Sequence, residues 1–253
     1  MAGVVLRPGE GESLFGGRIV LKATLDELCI TESFYDSARD GASPHLHHRH
    51  ADSFYVLDGG FAVLVHDREH VLEPGGCVCA PPEVVHGFRT TTASRFLNVH
   101  TPDGGFAESL RSRDRGGPGD FDSVDVEPGS GRLPTEAVLL AAGEGERLRG
   151  PNRWATIKVG REELSMIEFE LEPGFEGPDP HAHDDHIDSF YVLEGEAEFL
   201  MDGETVRLGA GSLVAAPLGV EHTFSNPGPG RARLLNVHAP STGFHDRLRE
   251  DSD

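Results

Sequence analysis

Basic side chains are scarce in this chain: 22 Lys and Arg stand against 43 Asp and Glu, a formal net charge of −21 over 253 residues. A surface that acidic repels phosphate backbones and anionic headgroups, which argues against nucleic-acid and membrane partners. Long apolar runs are missing as well. No stretch of about 18 apolar residues occurs, and the opening Met1 to Glu10 has neither the basic region nor the apolar core of a secretory signal. A soluble cytoplasmic protein is the expectation. Cysteine is limited to Cys29, Cys77 and Cys79, an odd number without the spacing of a zinc site. Cys77 and Cys79 fall opposite Leu213 and Ala215 in the second half and read as small core residues of a strand.

What the chain does contain is a pattern written twice. His45, His47, His50, Asp52 and Gly59 recur as His181, His183, His186, Asp188 and Gly195, with a constant offset of 136 residues (181 − 45, 195 − 59). Two copies of one folding unit follow. Each copy has His-x-His, a carboxylate and an apolar run, Ser53 to Leu57 or Ser189 to Leu193, ending at the glycine. Two His at i and i+2 on a strand face the same way, and imidazole with carboxylate suits a first-row divalent metal. The repeat divides the chain into domains at 1–111 and 136–253, with a linker at 112–135 rich in Gly, Pro, Asp and Arg.

The surrounding pattern is that of strands. Arg18 to Lys22, Leu28 to Phe34, Trp154 to Lys158 and Leu164 to Leu171 come closer to period two than to a helix. Asp202-Gly203 between two alternating runs predicts a hairpin. Many short strands with regular turns argue for a double-sheet jelly roll or small barrel. Phe106 with Leu110, and Phe244 with Leu248, sit at i and i+4 and predict short terminal helices over a sheet edge. The Gly-Glu-Gly-Glu runs at 9–12 and 143–146 read as turns and solvated edges.

A second motif follows the hairpin: Gly211, Pro217, Gly219, His222 and Asn226. Its partner has Gly75, Pro81 and His86, with Glu83 in place of the glycine and Thr90 in place of the asparagine. On these residues both halves resemble cupin domains, and the whole chain resembles a bicupin. The first cupin motif, G-x5-H-x-H-x(3,4)-E-x6-G, is matched in its His pair, carboxylate spacing and final Gly. The second, G-x5-P-x-G-x2-H-x3-N, is complete at 211–226. The resemblance implies an all-β chain of two tandem jelly-roll barrels with short terminal helices. It also implies one divalent ion per barrel, Fe, Mn, Ni, Cu or Zn, on three His and one carboxylate. Carried over by position, the candidate ligands are His181, His183, Asp188 and His222, with His45, His47, Asp52 and His86 in the first half.

Both sites depart from the pattern in the same way. Asp stands where the motif has Glu, shortening the reach by one C–C bond, about 1.5 Å. Either the metal sits closer to that strand, or the carboxylate only hydrogen-bonds an imidazole. His50 and His186, two residues before the Asp on the same strand face, are then additional or replacement ligands. Asn98 with His100, and Asn236 with His238, also share a face, as pocket-lining groups, as partners of the ligands or as plain structural polar residues. His48, His66, His70 and His245 have no counterpart and read as surface or core groups. Phe54, Tyr55, Phe190 and Tyr191 read as barrel core, and Trp154 as a packing residue.

For function, the layout is similar to quercetinase-like bicupins, which implies a dioxygenase acting on a small aromatic or enolic molecule. Two other readings stand beside it: a metal-dependent isomerase or hydrolase, and a non-catalytic sensor or small-molecule-binding protein. A monomer or a homodimer is expected. No residue in the sequence identifies the substrate.

Overall fold

Short runs of alternating apolar and polar side chains form strands throughout the computed structural model, which describes residues 2–252. The strands are organised as two jelly-roll units, residues 11–144 and residues 1–10 with 145–253. These bounds differ from those read along the sequence. The strand Val4–Leu6 pairs with Leu213–Ala216, and Val138–Leu140 pairs with Cys77–Ala80. Each unit therefore draws one edge strand from outside the domain span expected for it. The physical reason is local: both edges end in a buried four-residue strand, and a short apolar segment completes its ladder. Residues 112–135 are not a free linker either. The helix Phe106–Asp114 runs into them, Val124–Asp125 pairs with His45–Leu46, and Gly131 bridges to Val84.

In the 11–144 unit two long strands, Ala51–Val65 and His86–Thr101, pair along their length with register shifts between Thr90 and Ser94 and between Arg95 and Phe96. These bulges let one pair of strands bend through both layers of the roll. Gly59 sits at the bend with φ 78°. A Cβ there would lie 1.9 Å from the Ala93 carbonyl oxygen, so the motif's final glycine is a demand of backbone packing. In the other unit Gly195, φ 72°, separates Ile187–Glu194 from Glu196–Met201. That unit consequently shows a seven-stranded and a three-stranded sheet. The two cores are built from inward residues such as Phe54, Phe61 and Phe96, and Phe169, Phe190 and Phe199. Phe54, Tyr55, Phe190 and Tyr191 are all buried, as are the three cysteines.

The predicted hairpin forms at Asp202 (φ 49°) and Gly203 (φ 81°), joining Glu196–Met201 to Glu204–Gly209. Glu83 takes the left-handed conformation, φ 69°, that Gly219 takes at φ 76°. Its carboxylate accepts a hydrogen bond from His48 Nδ1 at 2.6 Å. Both terminal helices form, Phe106–Asp114 and Phe244–Glu250. Among the described residues no helix is long and apolar enough to cross a membrane.

Candidate functional site

In the 11–144 unit the ligand atoms of His45, His47, Asp52 and His86 lie within 4.8 Å of one another. Strand register brings them together: His86 stands opposite His45 in the ladder, and His100 opposite Asp52. Hydrogen bonds then aim the rings. His45 Nδ1 donates to the Ser43 carbonyl at 2.7 Å, His47 Nδ1 to the Asp122 carbonyl at 2.5 Å, and His86 Nδ1 to the Val84 carbonyl at 3.0 Å. A ring that donates through Nδ1 keeps a lone pair on Nε2. Asp52 Oδ2 lies 3.1 Å from His86 Nε2 and 3.8 Å from His47 Nε2. Its other oxygen is taken by the Asn98 amide, and His100 Nε2 stands 3.5 Å from it.

The second unit repeats the arrangement with His181, His183, Asp188 and His222. His181 and His222 bridge through their backbones, with both N–H groups donating across at 3.1 and 2.8 Å. Their Nδ1 atoms donate to the Asp179 and Val220 carbonyls at 2.8 and 2.9 Å. His222 Nε2 lies 3.1 Å from Asp188 Oδ2, while Asn236 Nδ2 and His238 Nε2 hold Asp188 Oδ1 at 2.5 and 3.2 Å. The Asn–His pairs noted in the sequence are thus the props of the carboxylate. In both units a ligand-side nitrogen, His47 Nε2 or His183 Nε2, is buried with no hydrogen-bond partner. Such a group is costly to leave unpaired. Donors about 2.1 Å from a first-row ion stand roughly 3 Å apart, so the residues present fit a divalent ion.

His50 and His186 stack on His47 and His183, and their Nε2 atoms are likewise buried without a hydrogen-bond partner. Ring centroids are 3.9 Å apart for His47 and His50 and 3.8 Å for His183 and His186, with planes 27° and 29° apart. The stack continues through His100 to Phe106 at 3.7 Å, and through His238 to Phe244 at 3.9 Å. The terminal helices therefore do more than cover an edge: each sends an aromatic ring to close the histidine column. A further grouping of His47, His50 and His100 exists in the first unit only among the described residues.

The motif's final asparagine is a loop pin. Asn226 Nδ2 donates to the carbonyls of Leu171, Glu172 and Gly230 at 3.1, 3.2 and 2.8 Å. Thr90, at the matching place in the first unit, donates to the Ser37 carbonyl at 2.9 Å. Of the unmatched histidines, His48 pairs with Glu83, and His245 Nδ1 lies 2.9 Å from the Ser165 hydroxyl. Trp154 packs under Arg147, whose guanidinium carbon is 4.6 Å from the ring.

One residue was not readable in the repeat. Asp122 lies in the stretch read as linker, yet its carboxylate accepts from the backbone N–H groups of His48 and Arg49 at 3.2 and 2.7 Å and from His50 Nδ1 at 3.2 Å. Phe121 packs against His47 at 5.5 Å. His183 Nδ1 has no such carbonyl partner among the described residues, and His181 and His183 are half-buried where His45 and His47 are buried. A lone Phe-Asp pair in a polar loop carries no signal of this role.

Electrostatics divides the site into charged and neutral groups. Burial raises Asp52 and Asp188, but His100 and His238 beside them, with hydrogen bonds from the neighbouring imidazoles, hold both well below the usual carboxylate range. Burial with His86 lowers His45 to about 4, burial with His47 lowers His50 to about 4, and burial with His186 lowers His183 to about 4. Burial also opposes the charge on His222, yet its bond to Asp188 raises it. An unfolded imidazole titrates near 6.5. As pH falls from about 6.5 to about 4, the unfolded chain takes up protons that the folded His45, His50 and His183 refuse. Their contribution to stability is present above pH 6.5 and is lost through that window. Metal-free protein should show a melting temperature that declines over it, less steeply in His50→Gln. A flat profile in chelator-treated wild-type protein would contradict the assignment.

The Cupin domain family matches residues 36–100 and 167–238. Over 263 aligned residues the chain is 23% identical to quercetin 2,3-dioxygenase of Bacillus subtilis strain 168, spanning 87% of this chain and 77% of that enzyme. The solved structure of oxalate decarboxylase from Bacillus subtilis superposes with a TM-score of 0.59 at 15% identity, covering 88% of this chain and 71% of that one. A variant of salicylate 1,2-dioxygenase from Pseudoaminobacter salicylatoxidans gives 0.61 at 14% identity, with 88% and 73% covered. At those identities the structural matches establish the fold.

Proposed function

Because this chain belongs to the cupin domain family, which matches more than half of it in two segments, we propose that it is a metal-dependent dioxygenase acting on a small aromatic or enolic substrate. The observation that carries this reading is a cavity of about 780 Å³ in the unit containing 145–253. It is bounded by Phe169, Phe190 and Phe224 and opens on His181, His183 and Asp188. A redox-active divalent ion bound there would supply open positions for a chelating substrate and dioxygen. His181, His183 and His222 would hold it through Nε2 and Asp188 through Oδ2. His45, His47, His86 and Asp52 would do the same in the other unit.

The chain's own contribution is orientation and exclusion of water. Asn236 and His238 hold one oxygen of Asp188, so the other keeps its direction. The phenylalanine walls offer flat faces to an aromatic ring in offset or edge contact and displace water from it. The likeness to quercetin 2,3-dioxygenase supports the same chemistry class. The test is to strip the protein of metal, restore it separately with Fe(II), Mn(II), Ni(II), Cu(II) and Zn(II), and follow dioxygen uptake with quercetin and salicylate. Uptake with a redox-active ion and none with Zn(II) is expected. Stoichiometric metal binding without uptake on any redox-active ion would remove the oxygenase reading in favour of a Lewis-acid enzyme or a binding protein.

A further inference from the structure

The 11–144 unit has its own cavity, of about 570 Å³, that reaches from His45 and Asp52 past Phe54, Phe88 and Phe96 to Tyr35. At the Tyr35 end it is lined by Arg18, Arg39 and Arg113. In a chain with about two acids for every base, most arginines are held by carboxylates, as Arg89 is by Glu69, Arg231 by Glu172 and Arg249 by Glu146. Among the described residues none of the three cavity arginines has a carboxylate within salt-bridge distance. Asp40 and Asp125 line the same cavity without pairing to them.

Three further observations make this more than a surface cluster. Arg18 Nε is buried and has no hydrogen-bond partner, a donor left unsatisfied at a cost that an incoming acceptor would relieve. The three guanidinium groups also share one cavity lining with Tyr35. Burial raises the Tyr35 phenol, and the positive charges of Arg18, Arg39 and Arg113 each oppose that rise. Finally, the wall beside them is aromatic: Tyr35 stacks on Phe96 at 5.7 Å with planes 23° apart and meets Phe88 edge-on at 6.1 Å. Arg153 and Arg247 line the cavity of the other unit and are likewise unpaired among the described residues. There, neither guanidinium has a buried nitrogen left without a partner, and no phenol lines the cavity, so the first cavity has the stronger claim.

We propose that the cavity of the 11–144 unit binds a small carboxylic acid with a flat apolar body, its carboxylate taken by Arg18, Arg39 and Arg113 beside the Tyr35 hydroxyl and its body packed on Phe88 and Phe96. Guanidinium groups are the side chains best matched to a carboxylate, and the aromatic slot excludes strongly hydrated inorganic anions. The site goes beyond the oxygenase reading and stands whether or not an ion is bound.

The test is calorimetric titration of the full chain, as purified and after chelation, with benzoate and its neutral analogue benzamide. Benzoate should bind about tenfold or more tighter than benzamide in both preparations. Arg18→Gln should weaken benzoate about tenfold and leave benzamide unchanged, and Arg113→Gln, on an exposed helix end, should weaken benzoate in the same direction. Arg231→Gln, at an arginine held by Glu172 outside both cavities, should change neither. If circular dichroism shows that Arg18→Gln does not fold, Arg113→Gln decides. Equal affinity for the two probes, no benzoate binding at low millimolar concentration, or loss with Arg153→Gln in place of Arg18→Gln or Arg113→Gln would overturn the proposal. Benzoate binding to the chelated protein, with no dioxygen uptake in any metal form, would sink the oxygenase reading alone.

Discussion

Alanine at His181 is expected to abolish about one equivalent of bound divalent metal, and alanine at His45 the other. Each side chain is one of three imidazoles in a four-donor cluster. Disturbing even the outer partners of such a site costs roughly ten- to a hundredfold in affinity; removing a donor should exceed that. Both positions tolerate truncation structurally. The His181 and His222 backbones still exchange their hydrogen bonds, and His45 still pairs with His86 through the ladder. The readout is elemental analysis of freshly purified wild type, both single variants and the double variant. Retention of the full metal content in both single variants would mean that the clusters are polar packing. Loss in His181→Ala alone would leave the first cluster without an ion, although His47 Nε2 is buried there with no partner.

Replacing Gly59 by alanine is expected to unfold or severely destabilise the 11–144 unit, by about 3 kcal/mol or more. Two penalties add at that position. The residue sits at φ 78°, where an L side chain costs roughly 1–2 kcal/mol. Its Cβ would also lie 1.9 Å from a backbone oxygen that cannot swing aside. Gly16 separates the two effects: at φ 68°, a methyl group added there would meet nothing within 4 Å. Gly16→Ala should therefore show only the conformational cost, about 1–2 kcal/mol. Urea unfolding of the two variants measures the difference directly. Equal losses would show that the strand Ala51–Val65 can shift away from Ala93, and that the bend is looser than the contact suggests.

How far the residues announced this arrangement depends on which residue is considered. Asp202 and Gly203 specified their turn locally, because a two-residue hairpin needs left-handed conformations that those residues accept. Glu83 departs from the motif and yet keeps the left-handed turn; its side chain, bonded to His48, gives it a local partner. His50 and His186 show where strand logic stops. Position two residues before the Asp places them near the ligands, but whether a ring converges or stacks depends on its χ angles and on what packs behind it. Here Phe106 and Phe244 extend those stacks from helices distant in sequence. The domain bounds moved for a similar reason: Val4–Leu6 and Val138–Leu140 look alike as segments, and only ladder pairing assigns each to its sheet.

From the residues alone came the doubled pattern and the all-β class, because strand periodicity and a constant 136-residue offset are properties of the chain itself; the two sets of three histidines and an aspartate came from the resemblance of those residues to the cupin motifs. Tertiary structure decided which imidazole nitrogen faces the shared space, that Asp52 and Asp188 lie among those nitrogens, and that Asp122 and a trio of arginines from separate segments gather around one unit. Those are questions of direction and long-range proximity. They are answered by carbonyl positions, ring packing and unpaired charge, none of which is written at a fixed spacing along the sequence.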